Sequence, residues 1–239
     1  MKTFKIDKIP AVIQARMGST RLPGKVLMDL AGFTMLEHLI IRLCGAKNVS
    51  YVLVITSTDK KDDEIYTFCY EKNIECFRGS ENDVLDRYYK SAKKYNMTNL
   101  IRVTGDNPFT DIEELDNLVE LHFQKKADYS INKEETGTDL PAGAGCEVFS
   151  FEMLEECWKK GLLPHHREHV NDFILENMAV YNVCVATVPE YKKRKNMRIT
   201  VDTHEDFERA KNILHLIPKP SDKITMQDII ELFDKKLIK

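Results

Sequence analysis

Three cationic side chains crowd one short stretch, Gln14-Ala15-Arg16-Met17-Gly18-Ser19-Thr20-Arg21-Leu22-Pro23-Gly24-Lys25. Glycines let backbone N–H groups turn toward an anion, and Arg16, Arg21 and Lys25 add three positive charges. That pattern suits a triphosphate, whose outer groups must be held while charge builds on departing pyrophosphate. A solvated basic loop is the plainer alternative. A Walker loop is excluded, because Gly18 and Gly24 stand one residue too far apart and Val26 follows Lys25. The G-x-G-x-x-G dinucleotide fingerprint is also missing.

Two carboxylates complete a possible site. Asp106 lies in Thr104-Gly105-Asp106-Asn107-Pro108, and Asp202 in Thr200-Val201-Asp202-Thr203-His204-Glu205-Asp206. Each follows an apolar strand-like run, and Mg²⁺ prefers one or two carboxylates plus phosphate oxygens and water. Each also has a structural alternative. Asp106 can simply form a turn ahead of Pro108, and Asp202 with Thr203 can simply begin a helix, Thr203 as its N-cap. Gln14 either touches nucleotide or ends its strand. His165 and His169 have the i, i+4 spacing of a zinc pair but lack an obvious third ligand. Their segment reads rather as a helix start, with Arg167, Glu168 or His169 facing an acceptor or serving only the fold. Tyr88 and Tyr89 read as core packing.

The elements that must position these residues alternate. Strands are expected at Ile9–Gln14, Tyr51–Thr56, Ile74–Phe77 and Leu100–Thr104, with helices after each, the second over Lys61–Asn73 and the third over Asp83–Tyr95. Such spacing requires crossover connections, hence a mostly parallel α/β sheet covered on both faces. The second half loosens into a Gly-, Thr- and Pro-rich loop at Thr136–Gly145. Strands are expected at Cys146–Phe151, Tyr181–Thr187 and Met197–Val201, the last rejoining the sheet. Helices are expected over Glu152–Lys160, over 165–177, around Phe207–Leu214 and from an N-cap at Thr225, with Lys235, Lys236 and Lys239 at the negative end of the last. One domain over residues 1–239 is expected, with a strand-and-helix insertion at about 133–190.

Composition narrows the function. Of 239 residues, 43% are hydrophobic and 31% charged, and the formal net charge is −3, so no global field attracts nucleic acid or an acidic membrane surface. The start, Met1 to Lys8, and the short apolar run after it do not suit a signal peptide, and no run is long enough to span a bilayer. A cytoplasmic protein is expected, its six scattered cysteines reduced thiols.

Taken together, the basic loop, the G-D-N-P turn and the V-D-T-x-E-D segment resemble the cytidylyltransferases that activate acidic sugars, the CMP-KDO and CMP-sialic acid synthetases, and most closely the spore-coat polysaccharide F-type branch. The likeness extends through Phe77-Arg78-Gly79-Ser80, Asp83-Val84-Leu85-Asp86-Arg87-Tyr88, Glu147-Val148-Phe149-Ser150-Phe151 and Arg167-Glu168-His169-Val170. It implies a Rossmann-like nucleotidyltransferase fold, a homodimer using the insertion, and transfer of CMP from CTP to a sugar-like acceptor. It places Ala15, Arg16, Gly18, Ser19, Arg21, Lys25, Arg78, Ser80, Gly105 and Asp106 on the nucleotide. It puts Mg²⁺ on Asp106 and Asp202, and Glu147, Arg167 and His169 on the acceptor. Arg16, Arg21, Lys25, Asp106 and Asp202 would carry the catalysis. One departure stands out: branch members carry an aspartate in a G-L-D-V-E-V-like segment where this chain has Gly143-Ala144-Gly145-Cys146-Glu147-Val148. A glycosyltransferase is the competing enzyme, although Asp106-Asn107-Pro108 lacks its usual Asp-x-Asp pair. A catalytically inactive nucleotide-binding partner is the competing non-enzyme.

Overall fold

The computed structural model describes residues 7–238. Most of the N-terminal stretch read as unlike an export signal, and Lys239, lie outside the described residues. Strand β1 (Ile9–Gln14) is followed by a two-stranded ribbon, β2 (Asp29–Leu30) and β3 (Phe33–Thr34), and by helix α1 (Met35–Cys44). Then come β4 (Val49–Ser57), α2 (Asp63–Glu71), β5 (Glu75–Gly79), α3 (Val84–Lys94), β6 (Asn99–Thr104) and α4 (Ile112–Lys125). The second half holds β7 (Tyr129–Ile131), β8 (Glu147–Ser150), α5 (Phe151–Lys160), α6 (Pro164–Glu168), α7 (Asp172–Glu176), β9 (Val183–Val185), α8 (His204–Leu216) and α9 (Met226–Asp234).

Seven strands form one sheet in the order β5-β4-β1-β6-β8-β7-β9, in which β8 alone runs against its neighbours. Alternation along β1 explains the layering. Ala11 and Ile13 face a core shared with α1, α4, α8 and α9, while Val12 faces a second core shared with α3 and α5. The chain leaves β1 toward β4 on one side and later returns to pair β6 on the other. That reversal of strand order is where open α/β sheets build ligand crevices.

Helix starts follow local chemistry. Thr34 caps α1, Asp83 caps α3 and Asp111 caps α4, and reciprocal boxes Thr203/Asp206 and Thr225/Asp228 start α8 and α9.

Three expectations change. The helix expected over 165–177 is two, α6 and α7, because the chain extends at His169 and buries Val170 in the second core. The segment Met197–Val201 does not rejoin the sheet. Its alternation is real, with Met197, Ile199 and Val201 buried, but among the described residues its strand-type pairing is limited to a single bridge between Ala142 and Arg198. The strand expected over Tyr181–Thr187 shrinks to β9, and β7 and the β2–β3 ribbon went unanticipated. No helix among the described residues is long and apolar enough to cross a membrane.

Candidate active site

The loop after β1 and the turn after β6 leave neighbouring strands at the reversal point. Gln14 pairs with Thr104, and the Gly105 N–H donates to the Gln14 carbonyl at 2.9 Å. Buried Asp62 anchors the loop by accepting the Met17 N–H at 2.7 Å and the Ser57 N–H at 3.2 Å. The loop then closes on itself, Gly24 N–H to Met17 carbonyl at 3.0 Å, and delivers Lys25 inward.

Lys25 is the centre of the site. Its buried ammonium donates to the Val201 carbonyl at 2.6 Å, to Asp202 Oδ1 at 3.0 Å and to Asp106 Oδ2 at 3.4 Å. Arg21 reaches Asp202 Oδ2 at 3.0 Å, and Arg198 pairs with the same oxygen. Burial works against the Asp202 charge, but Lys25, then Arg21 and Arg198, outweigh it and hold its pKa below the ordinary value. The helix-start reading of this segment holds for Thr203 but does not account for the Asp202 side chain. Thr203 is the N-cap, Asp206 accepts the Asp202 and Thr203 N–H groups, and the Asp202 side chain turns to the cations instead.

Backbone bonds bring the two aspartates together. The Val201 N–H donates to the Asp106 carbonyl at 2.9 Å, and residues 197 and 199 bond to Ala142 on either side. This close approach needs Gly143, which has φ +94° and sits where a Cβ would lie 2.5 Å from Thr200 Oγ1.

A cleft of about 750 Å³ opens over these residues. Ala15, Arg16, Ser19, Arg21, Lys25, Gly105, Asp106, Asp202 and His169 line it, as does Gln14. Five expected contacts lie elsewhere. Gly18 packs on the Lys61 side chain. Arg78 is spent on the Ser57 and Asp59 carbonyls and on Asp63, and exposed Ser80 follows it outside the cleft. Arg167 donates to the Trp158 carbonyl and leans toward Asp83. Glu147 is fully buried beneath Arg102 and Lys133, so it acts on the cleft only through them.

The spacing of His165 and His169 makes no metal pair. His169 faces the cleft, while His165 and His166 share the two oxygens of Glu176 at 2.8 and 2.9 Å. The His166 Nδ1 also accepts the Leu163 N–H at 3.4 Å, so its Nε2 carries the proton given to Glu176.

Sequence reasoning missed Arg87, Arg102, Lys133 and Asn171, which all line the cleft. An arginine inside the apolar run Leu100-Ile101-Arg102-Val103 was the readable signal. Arg87 is buried with Nε and Nη1 unpartnered; desolvation lowers its pKa, and nearby Arg16 adds to that.

A doubly covered sheet with a cationic loop facing paired carboxylates across the strand-order reversal defines a nucleotide-handling transferase site. Comparison with known proteins gives the family: the cytidylyltransferase model matches residues 11–229, and the chain belongs to that family. It is similar to the uncharacterized protein MJ1063 of Methanocaldococcus jannaschii, at 39% identity over 95% of this chain and 91% of that one. The spore coat polysaccharide biosynthesis protein SpsF of Bacillus subtilis is 34% identical over 96% of this chain and 95% of its own. A cytidylyltransferase structure from Leptospira borgpetersenii superposes with a TM-score of 0.88 at 30% identity, covering 96% of this chain and 95% of that one.

Proposed function

We propose that this cytidylyltransferase moves CMP from CTP to a sugar-like acceptor, releasing pyrophosphate, in the synthesis of a surface polysaccharide or glycoconjugate. The observation that carries the reading is Lys25, whose one ammonium reaches a carboxylate oxygen of both Asp106 and Asp202. A single cation therefore fits between the two carboxylates, and these residues suit a divalent ion such as Mg²⁺. When bound, that ion neutralises phosphate charge and orients the groups. Arg16, Arg21 and Lys25 bind the triphosphate and stabilise departing pyrophosphate, Lys25 and Arg21 exchanging Asp202 for phosphate oxygens. The acceptor enters from the side of His169, Asn171 and Lys133, and its oxygen attacks the α-phosphorus in line. The insertion at about 133–190 serves acceptor binding and a homodimer. Exposed Leu162 (73%) and Val180 (75%), with the outer edge of β9, support the dimer contact.

The test is pyrophosphate release from the full chain with Mg²⁺, each of the four NTPs, and acidic sugars as acceptors. Release with CTP that needs an acceptor and stops with EDTA is expected. Release with CTP no faster than with UTP, ATP or GTP would overturn the cytidine assignment, and release unaffected by EDTA would overturn the metal role of the aspartates.

A further inference from the structure

We infer that Arg198 is a positioning residue for the divalent ion: it retains Oδ2 of Asp202, so that Asp202 offers the ion Oδ1 alone, which selects a small octahedral cation over a larger one. This role rests on the reading of Asp106 and Asp202 as ligands of one divalent ion, and adds which ion they prefer.

The two oxygens of Asp202 face different partners. Oδ1 takes the Lys25 ammonium at 3.0 Å, and the same ammonium reaches Asp106 Oδ2 at 3.4 Å, so Oδ1 looks toward the other carboxylate. Oδ2 takes Arg21 at 3.0 Å and the Nη2 of Arg198. In the proposed reaction Lys25 and Arg21 leave Asp202 for phosphate. Arg198, which stands outside the cleft lining, stays.

Arg198 is held firmly enough to stay. Its chain neighbours bond to Ala142 on either side, the Ala142 N–H to the Met197 carbonyl at 2.9 Å and the Ile199 N–H to the Ala142 carbonyl at 2.8 Å. Its Nη1 donates to Asp206 Oδ2 at 3.0 Å and to the Thr200 carbonyl at 3.2 Å. Asp206 is fixed in turn. Its Oδ2 also accepts the Asp202 and Thr203 N–H groups, each at 2.9 Å, and its Oδ1 takes Arg209. One nitrogen of a planar fork is thus anchored, which aims the other at Asp202.

A purely structural role accounts poorly for this arrangement. Asp206 already has Arg209 and two backbone donors, and Asp202 already has Lys25 and Arg21. The Arg198 side chain is 41% exposed, and exposed ion pairs add little stability. What Arg198 supplies is occupancy of one carboxylate oxygen. Mg²⁺ demands near-ideal octahedral geometry with few protein oxygens, whereas Ca²⁺ takes more ligands and accepts both oxygens of one carboxylate. With Oδ2 retained, Asp202 suits the first ion and denies the second an oxygen. Charge alone predicts something different, since removing a nearby cation should strengthen every divalent ion alike. Only the ratio between ions reports on the oxygen.

The test reads that ratio by binding. The full chain, in excess over cytidine 5′-(α,β-methylene)triphosphate, takes up Mn²⁺ as a spin-active octahedral ion, followed by loss of its EPR signal, and Ca²⁺ is titrated as competitor. Wild type is expected to hold Mn²⁺ at least about tenfold more tightly than Ca²⁺, and Arg198→Met to narrow that gap roughly fivefold or more. Arg198→Lys should narrow it too, because a point charge cannot span Asp206 and Asp202. Arg209→Met strips a cation from Asp206 but not from Asp202, and should leave the ratio within about twofold of wild type. Should Arg198→Met melt well below wild type, Arg198→Lys carries the test. A ratio unmoved in Arg198→Met, kept whole in Arg198→Lys, or moved as far by Arg209→Met would overturn the inference. Absence of Mn²⁺ uptake by wild type would remove the metal reading and this role with it. Selection that depends on Arg198 in a chain releasing no pyrophosphate would instead sink the CMP-transfer reading and leave the role standing.

Discussion

The two ends of the cleft hold their charges differently. At the nucleotide end two of the three cations lie open on a loop, Arg16 exposed and the Arg21 side chain 61% exposed while it rests on Asp202, and Lys25 alone of the three is buried. At the acceptor end Arg102 stands on β6 with its side chain 5% exposed and Lys133 just past β7 with 15%, both over fully buried Glu147. Solvated charges can trade one partner for another at small cost, whereas buried ones are fixed before any ligand arrives. The first arrangement suits a flexible polyphosphate. The second suits a choice among acceptors.

The largest effect should come from breaking the buried end. Glu147→Gln leaves Arg102 and Lys133 facing each other without an anion, and should cost about 3–5 kcal/mol in urea unfolding. Although burial opposes its charge, the two cations hold the Glu147 pKa down to about 2, so the partnership survives mildly acidic pH. A loss below 1 kcal/mol would erase the contrast between the two ends.

Acid should also find the acceptor half first. His122 on α4 is buried against Ser130 of β7 and Asn99 of β6, bonded to them at 2.9 and 3.1 Å. Desolvation lowers its pKa from 6.5 to about 4, against a small upward pull from Asp128. The folded protein keeps it neutral while the unfolded chain takes up a proton, so its contribution is complete above pH 6.5. It is lost as pH falls toward 4, amounting to roughly 3 kcal/mol at most. His38, also lowered by burial, acts in the same direction. Urea midpoints measured from pH 7 to 4.5 should fall less steeply in His122→Gln, and an unchanged slope would remove His122 from the account.

At the nucleotide end, function and stability should separate. Asp202→Asn and Asp106→Asn should each lower turnover about a hundredfold while melting within a few degrees of wild type. Their combination should cost much less than the product of the two losses, because both carboxylates serve one cation. Losses that multiply would mean two independent roles. Arg21→Ala should be the mildest, raising the CTP Kd about tenfold, with no resolvable change in melting temperature. Should it destabilise the fold as Glu147→Gln does, the loop is not the adaptable element its exposure suggests.

How legible each region was follows from how local its causes are. The strands β1, β4 and β6 and the helices α1 and α4 are written in apolar runs and periodicity within single segments. Arg16, Arg21 and Lys25 stood out by their charge density on one stretch after β1, and Asp106 and Asp202 by following apolar runs. The acceptor end was not, since Arg102, Lys133 and Glu147 meet only through antiparallel pairing of β8 between β6 and β7. Glu147, although named from sequence, took its role from that pairing. β7 is three residues long, too short to leave a period. Met197–Val201 alternates like a strand, but alternation reports which side chains are buried and not where the backbone bonds go.

The bond from the Val201 amide to the Asp106 carbonyl has a consequence for how such a chain can diversify. It ties together two points 95 residues apart in sequence, with the span proposed to bind the acceptor lying between them and held in the sheet by β8. The exposed connections of that span, such as the turn at Leu162, can then be lengthened, shortened or exchanged while β8 stays in the sheet and the spacing of the two carboxylates is kept by the pin. On the proposed assignment of that span to the acceptor, the choice of acceptor and the reaction itself are separable inheritances.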